Sequence, residues 1–115
     1  MADMLKKSRK QEKRGAKLLG GTVNAGSGNG WVRKNDVRTP EYSVEYKVTS
    51  KSQYPLKDSE LQTAEKQALL DGREMLFGIQ MESGRNWITM SEELFLTLHT
   101  QAFPDADEDE VLPWS

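Results

Sequence analysis

Apolar and polar positions alternate most regularly over residues 42–49, where Tyr42, Val44, Tyr46 and Val48 interleave with Ser43, Glu45, Lys47 and Thr49. A period of two places the apolar set on one face of a β-strand and the polar set on the other. Residues 31–38 read as a preceding strand kinked at Lys34-Asn35, and Thr39-Pro40-Glu41 as the turn that joins the two strands into a hairpin. Downstream the period changes. Leu61, Ala64, Ala68 and Leu69 form a helical stripe, with Asp58 or Ser59 as the cap and a stop at Asp71-Gly72. Residues 75–81 are an apolar strand, Ser83-Gly84-Arg85-Asn86 a turn and residues 87–90 a further strand. Ser91-Glu92-Glu93 opens a last helix with Leu94, Phe95 and Leu98 on its buried side.

Ahead of the hairpin, residues 4–19 are mostly good helix formers, and Gly20-Gly21 stops them. The first half of this helix is almost wholly polar, which leaves Ala16, Leu18 and Leu19 to meet a core. Residues 22–25 suit a short strand, and Gly26-Ser27-Gly28-Asn29-Gly30 a flexible loop. No internal repeat is present. The order helix, hairpin, helix, hairpin, helix predicts an α/β (α+β) fold, a mixed central β-sheet flanked by helices.

With 115 residues, the chain has room for one domain. A chain of this size buries roughly 65% of its unfolded surface, enough for one modest core. The absence of Cys rules out a disulfide scaffold, thiolate zinc sites and a thiol nucleophile, and a single His, His99, rules out a multi-His metal site. Any bound metal must then be held by carboxylates, carbonyls and water, which select Mg²⁺, Mn²⁺ or Ca²⁺. His99 itself, late on an amphipathic helix, reads as a surface or half-buried residue without a catalytic part. No apolar run approaches the ~20 residues that span a bilayer, and the basic N-terminus is not followed by an apolar segment. The expectation is a cytoplasmic protein with no membrane partner.

A net charge of −2 conceals a marked polarity. Residues 1–17 hold seven basic side chains against Asp3 and Glu12, whereas residues 104–115 hold five acidic side chains and no basic one. Such asymmetry points to nucleic-acid contact at the basic end, with Lys10, Lys13 and Arg14 as candidates, and to a solvated acidic tail after a domain of residues 1–103. Two solvated ends account for the same charges equally well. The tail has little to bury beyond Leu112 and Trp114.

The chemistry gathers on the first hairpin. Side chains two apart on a strand share a face, so Glu45 and Lys47 project together, and a turn near Pro40 brings Asp36 close to Glu45. Two adjacent carboxylates repel unless a proton or cation resolves the repulsion. A divalent metal does so well, since Mg²⁺ binds through one or two carboxylates and leaves room for substrate phosphate. An adjacent Lys orients the attacking water and neutralises developing phosphate charge, a combination suited to phosphodiester hydrolysis. An E-x-K on an alternating strand is by itself common and reads first as a solvated ion pair. Its setting distinguishes it: Asp36 stands nine positions earlier across a turn, after a Gly-rich loop and a basic helix.

In this order and spacing the chain resembles the PD-(D/E)XK nuclease superfamily, in particular its small Holliday-junction resolvase-like endonucleases of archaea and phages. The matching elements are Glu12 on the first helix, Gly26-Ser27-Gly28, Asn35-Asp36-Val37, Val44-Glu45-Tyr46-Lys47-Val48 and the helix ending at Asp71-Gly72-Arg73, over about residues 8–98. Asn35 stands where the namesake motif has Pro, and the tail after Phe103 has no counterpart. The resemblance implies a restriction-endonuclease-like sheet and a Mg²⁺- or Mn²⁺-dependent endonuclease that resolves branched DNA as a homodimer. It further implies metal binding by Asp36, Glu45 and the Tyr46 carbonyl, a nucleophilic water positioned by Lys47, an outer carboxylate from Glu12, and Ser27 near the scissile phosphate. Other nucleases of the superfamily, of nicking, repair or restriction type, share this pattern, and a non-cleaving DNA-binding module is the rival of another class.

The remaining features divide less sharply. The loop at residues 26–30 lacks the ending of a P-loop and the spacing of a dinucleotide fingerprint, so no nucleotide cofactor is expected. Trp31 suits base stacking or a sheet edge. Lys51 and Lys57 are either contacts to the DNA backbone or ordinary surface charge. Gln62, Lys66 and Gln67 share the polar side of the middle helix, from which one could reach a phosphate.

Overall fold

The computed structural model describes residues 2–24 and 35–106. The element order is α1 (Ala2–Leu19), β1 (Thr22–Val23), β2 (Val37–Arg38), β3 (Tyr42–Val48), α2 (Asp58–Leu70), β4 (Glu74–Gln80), β5 (Asn86–Thr89), α3 (Glu92–Ala102) and a short 3₁₀ turn, Pro104–Ala106. The predicted Gly-rich loop with Ser27, the first part of the strand predicted over residues 31–38, and most of the acidic tail lie outside the described residues.

The five strands form one mixed sheet in the order β1-β2-β3-β4-β5. β3 and β4 run parallel, joined by α2, and the other neighbours are antiparallel. Alternation along β3 and β4 sorts their side chains onto two faces. Val44, Tyr46 and Leu76 meet Ala16 of α1, Val37 and Leu94 of α3. On the opposite face Met75, Phe77 and Ile79 pack against Ala64 and Ala68 of α2. The sheet is therefore sandwiched between helices, the mixed architecture that the order of elements predicts.

Because β3 is an interior strand, its polar face is covered as well, and Ser43 is 4% exposed. Three apolar expectations fail for the opposite reason. Leu18, Leu69 and Phe95 are 66%, 60% and 52% exposed, since α1, α2 and α3 turn only narrow stripes toward the sheet. Phe95 instead stacks on His99, which meets Phe103 in turn, with ring centroids 5.9 and 5.1 Å apart. His99 is thus on the surface, as its position implies.

The helix ends follow the chain's punctuation. Gly20 and Gly72 adopt positive φ and close α1 and α2 by returning the next N–H to the carbonyls of Ala16 and Ala68. Ser91 caps α3, its hydroxyl accepting from the Leu94 N–H at 3.1 Å. The predicted cap of α2 differs. Asp58 is already helical, Lys57 is the residue at the cap, and the Asp58 carboxylate accepts from Gln62 Nε2 at 2.6 Å. Among the described residues no helix is long and apolar enough to cross a membrane.

Tyr46 locks the layers together. Its ring is wedged between Gly15 of α1 and Gly78 of β4, and a Cβ at Gly78 would lie 2.5 Å from Cε1 of the ring. A Cβ at Gly15 would overlap the phenol. Gly78→Ala should therefore destabilise the fold by about 1–3 kcal/mol through overpacking. Urea denaturation measures it, and unchanged stability would mean that the ring is not confined.

Candidate functional site

Three elements converge at the carboxyl end of β3. On the face toward α2, Lys47 Nζ lies 3.6 Å from Glu60 Oε2, and the Tyr54 hydroxyl lies 3.2 Å from each carboxylate oxygen of Glu60. Glu45, Lys47, Glu60, Thr63 and Phe77 enclose a cleft of about 160 Å³. Burial, then the neighbouring carboxylates of Glu60 and Glu45, push the Tyr54 hydroxyl up to about 12, so it remains a hydrogen-bond donor to Glu60 at neutral pH.

Glu60 is a site-facing residue that the sequence reading does not single out. A helix linking two parallel strands begins at the carboxyl end of the first, so the first turn of α2 falls beside Lys47. That signal favours Glu60 over the three polar residues named on α2. Gln62 and Lys66 line the outer side of the helix, and Gln67 lines a separate 150 Å³ cleft with Asn35 and Ser43.

Asp36 is brought in by backbone bookkeeping. Val37 pairs with Val44 and Arg38 with Ser43, so Asp36, one residue earlier, stands at the level of Glu45. The Tyr46 N–H donates to Asp36 Oδ2 at 2.8 Å. The segment carrying Asp36 is clamped on both sides. Asn24 N–H donates to the Asp36 carbonyl at 2.8 Å, and Asn24 Nδ2 to the Asn35 carbonyl at 2.6 Å. Asn35, only 3% exposed, donates through Nδ2 to Ser43 Oγ at 2.9 Å and to the Ala64 carbonyl at 3.0 Å. Asn35 thus ties the β2 segment to β3 and α2 by its side chain, which a Pro at this position could not do.

From the other side of the sheet, α1 carries Glu12 toward the same end. Burial pushes the Glu12 carboxyl up, the nearby Asp36 charge pushes it further, and Arg9 partly offsets both. The structure thus relates Asp36 to Glu12 through their fields and to Glu45 through strand register. Among the described residues no three His, Asp or Glu side chains gather closely enough to hold a metal by themselves. Mg²⁺ asks for less, since one or two carboxylates suffice beside waters and substrate phosphate. The donor set of Asp36, Glu45 and the Tyr46 carbonyl is all oxygen and carries negative charge, which fits a hard divalent cation.

The other candidates disperse. Lys10 and Arg14 line a third cleft, on the α1 side of the sheet, and Lys13 is exposed elsewhere on the helix. Lys51 is exposed in the loop after β3, with its carbonyl accepting from the Glu82 N–H at 3.1 Å. Ser27 lies outside the described residues. No family model, curated protein or solved structure matches the chain.

The Glu12 shift has a measurable consequence. A carboxyl whose pKa is raised on folding binds more protons in the native than in the unfolded state, so its contribution to stability falls as pH rises from its unfolded to its folded pKa. In EDTA, Glu12→Gln should therefore melt higher than the parent at pH 7, and the difference should close as the pH falls toward 4. A parent that melts higher than Glu12→Gln at pH 7 would contradict the assigned direction.

Proposed function

We propose that the protein is a metal-dependent endodeoxyribonuclease that hydrolyses phosphodiesters in branched DNA. The observation that carries the reading is the Asp36 carboxylate, held by the Tyr46 N–H at the level of Glu45, with Lys47 next along the same face of β3. Acidic oxygens for a cation and an ammonium for a phosphate are thereby offered within three consecutive residues of one strand and the end of its neighbour. The basic side chains of α1 add a surface suited to a phosphate backbone.

In this mechanism Asp36, Glu45 and the Tyr46 carbonyl would hold Mg²⁺ or Mn²⁺. When bound, the cation supplies charge neutralisation at the phosphate and acidifies water. Lys47 orients the attacking water and stabilises the charge that builds on the phosphate oxygens. Glu60 acts as a positioning residue, since its carboxylate and the Tyr54 hydroxyl restrict where the Lys47 ammonium can go. Glu12, which retains a proton more readily than an ordinary carboxylic acid, lies within the field of Asp36 and would serve as an acid or an outer ligand. Attack in line with the 3′ oxygen breaks the P–O3′ bond, leaves a 5′-phosphate and passes a proton to the departing 3′ oxygen. Cutting two strands of a junction requires two such sites, hence two copies of the chain.

The test is incubation with duplex, nicked, flap and four-way-junction DNA in Mg²⁺ and in Mn²⁺. Paired cuts at the junction are expected. Asp36→Asn, Glu45→Gln and Lys47→Met should each lower the cleavage rate by at least ~10²-fold while binding survives. Tight binding by the unaltered protein without cleavage in either metal would overturn the catalytic reading in favour of a binding module.

A further inference from the structure

The sheet ends on β5, and among the described residues no strand pairs with its outer edge. Hydrogen bonding to β4 fixes which backbone groups face outward. The Met81 N–H donates to the Arg85 carbonyl, and the bonded levels of an antiparallel pair recur every two residues, so the next are Ile79 with Trp87 and Phe77 with Thr89. Asn86 and Ile88, in between, therefore turn their N–H and C=O groups away from β4. Exposed edges are ordinarily blunted by charge or proline, and Asn86-Trp87-Ile88-Thr89 has neither. Apolar surface flanks the edge on both faces instead. Trp87, opposite Ile79 of the core on the α2 side, is 50% exposed, and Ile88, opposite Gly78 on the α1 side, is 48% exposed.

The two ends of β5 differ in charge. Arg85, its guanidinium carbon 4.8 Å from the centroid of the Trp87 ring, stands just before the strand, and Glu92 and Glu93 follow shortly after it. All three are exposed. A second β5 laid antiparallel sets each basic end toward an acidic one, whereas a parallel copy would set like charge toward like.

We infer that β5 pairs antiparallel with β5 of a second copy about a two-fold axis at Trp87, making one continuous sheet. Asn86 and the partner's Ile88 exchange both backbone hydrogen bonds, and the same exchange recurs by symmetry, so every outward group of β5 is used. Trp87 meets the partner's Trp87 across a level without backbone bonds, with Cα atoms ~4.5 Å apart and the indoles side by side. An axis at Ile88 or at Asn86 would instead draw Met90 or Gly84, outside the strand, into the ladder.

The consequence of this pairing rests on the nuclease reading, since two cuts need two sites. Lys47, Ile79 and Trp87 occupy one level of three adjacent strands, and Lys47 and Trp87 share the face toward α2. A two-fold axis perpendicular to the sheet keeps both of these faces on the same side. The two Lys47 positions then lie on one row, five strand spacings or about 24 Å apart, where one DNA molecule meets both.

The chain has no Cys, so a single introduced thiol reports the register. Oxidised Trp87→Cys should form a covalent dimer, because a Cα separation of ~4.5 Å lies within disulfide range, whereas Thr89→Cys, opposite the partner's Arg85, should not. Sedimentation of the unaltered chain at micromolar concentration should show the dimer, and Ile88→Lys should weaken it by at least ~10-fold. If circular dichroism shows Ile88→Lys unfolded, the cross-link decides by itself. A parent that stays monomeric would overturn the inference, as would a folded Ile88→Lys that associates like the parent, or cross-linking through Thr89→Cys and not Trp87→Cys. A parent that dimerises only once residues 107–115 are removed would overturn it too, because the tail would then be what covers the edge. Dimerisation at β5 without cleavage upholds the interface and removes the nuclease, whereas a monomer that cleaves flap or nicked DNA removes the interface and spares the nuclease.

Discussion

The backbone N–H of Tyr46 must find an acceptor, and the way it does so determines most of the site. The Thr39 N–H donates to the Tyr42 carbonyl, so the hydrogen-bonded levels of the β2–β3 ladder recur every two residues and would next fall at Val37 with Val44 and at Asn35 with Tyr46. The ladder stops before that last level. The Asn35 carbonyl is taken by Asn24 Nδ2, and Asp36 Oδ2 takes the Tyr46 N–H instead. A carboxylate thus substitutes for a strand carbonyl at the point where β2 leaves β3. The fold gains a satisfied donor, and the site gains an acid whose position is set by the sheet rather than by a mobile side chain.

The same residue couples the site to the rest of the molecule. The Tyr46 ring fills the gap between Gly15 and Gly78, which docks α1 close to the sheet and brings Glu12 within the field of Asp36. Placing an acid with a raised pKa beside another carboxylate costs stability, and such costs concentrate where chemistry is performed. A bound divalent cation would reverse the sign of that cost. The net charge of −2 is uninformative in this light, because the acidic tail is separate in sequence from the basic wall of α1.

Much of the fold was legible in advance because periodicity is a local property. Alternation over residues 42–49 marked β3, the stripe from Leu61 to Leu69 marked α2, and Ser91 marked the start of α3. The pairing of Asp36 with the E-x-K strand followed from the turn at Pro40 alone. What escaped was set by the third dimension. Ser43 is buried because β3 is interior, and Phe95 and Leu18 are exposed because their helices touch the sheet along narrow stripes. Glu60 enters the site through the direction of a crossover helix, and Asn35 through contacts with residues 8 and 29 positions away.

The central claim is that Asp36 and Glu45 form a cation site at the strand divergence. Paramagnetic relaxation by Mn²⁺, followed amide by amide in the NMR spectrum of the labelled protein without DNA, addresses it most directly. The account predicts that substoichiometric Mn²⁺ broadens the amides of residues 36 and 45–47 first, and that Asp36→Asn removes this selectivity. Broadening that begins elsewhere, at the acidic tail or along the outer side of α2, and spares residues 36 and 45–47 would contradict it.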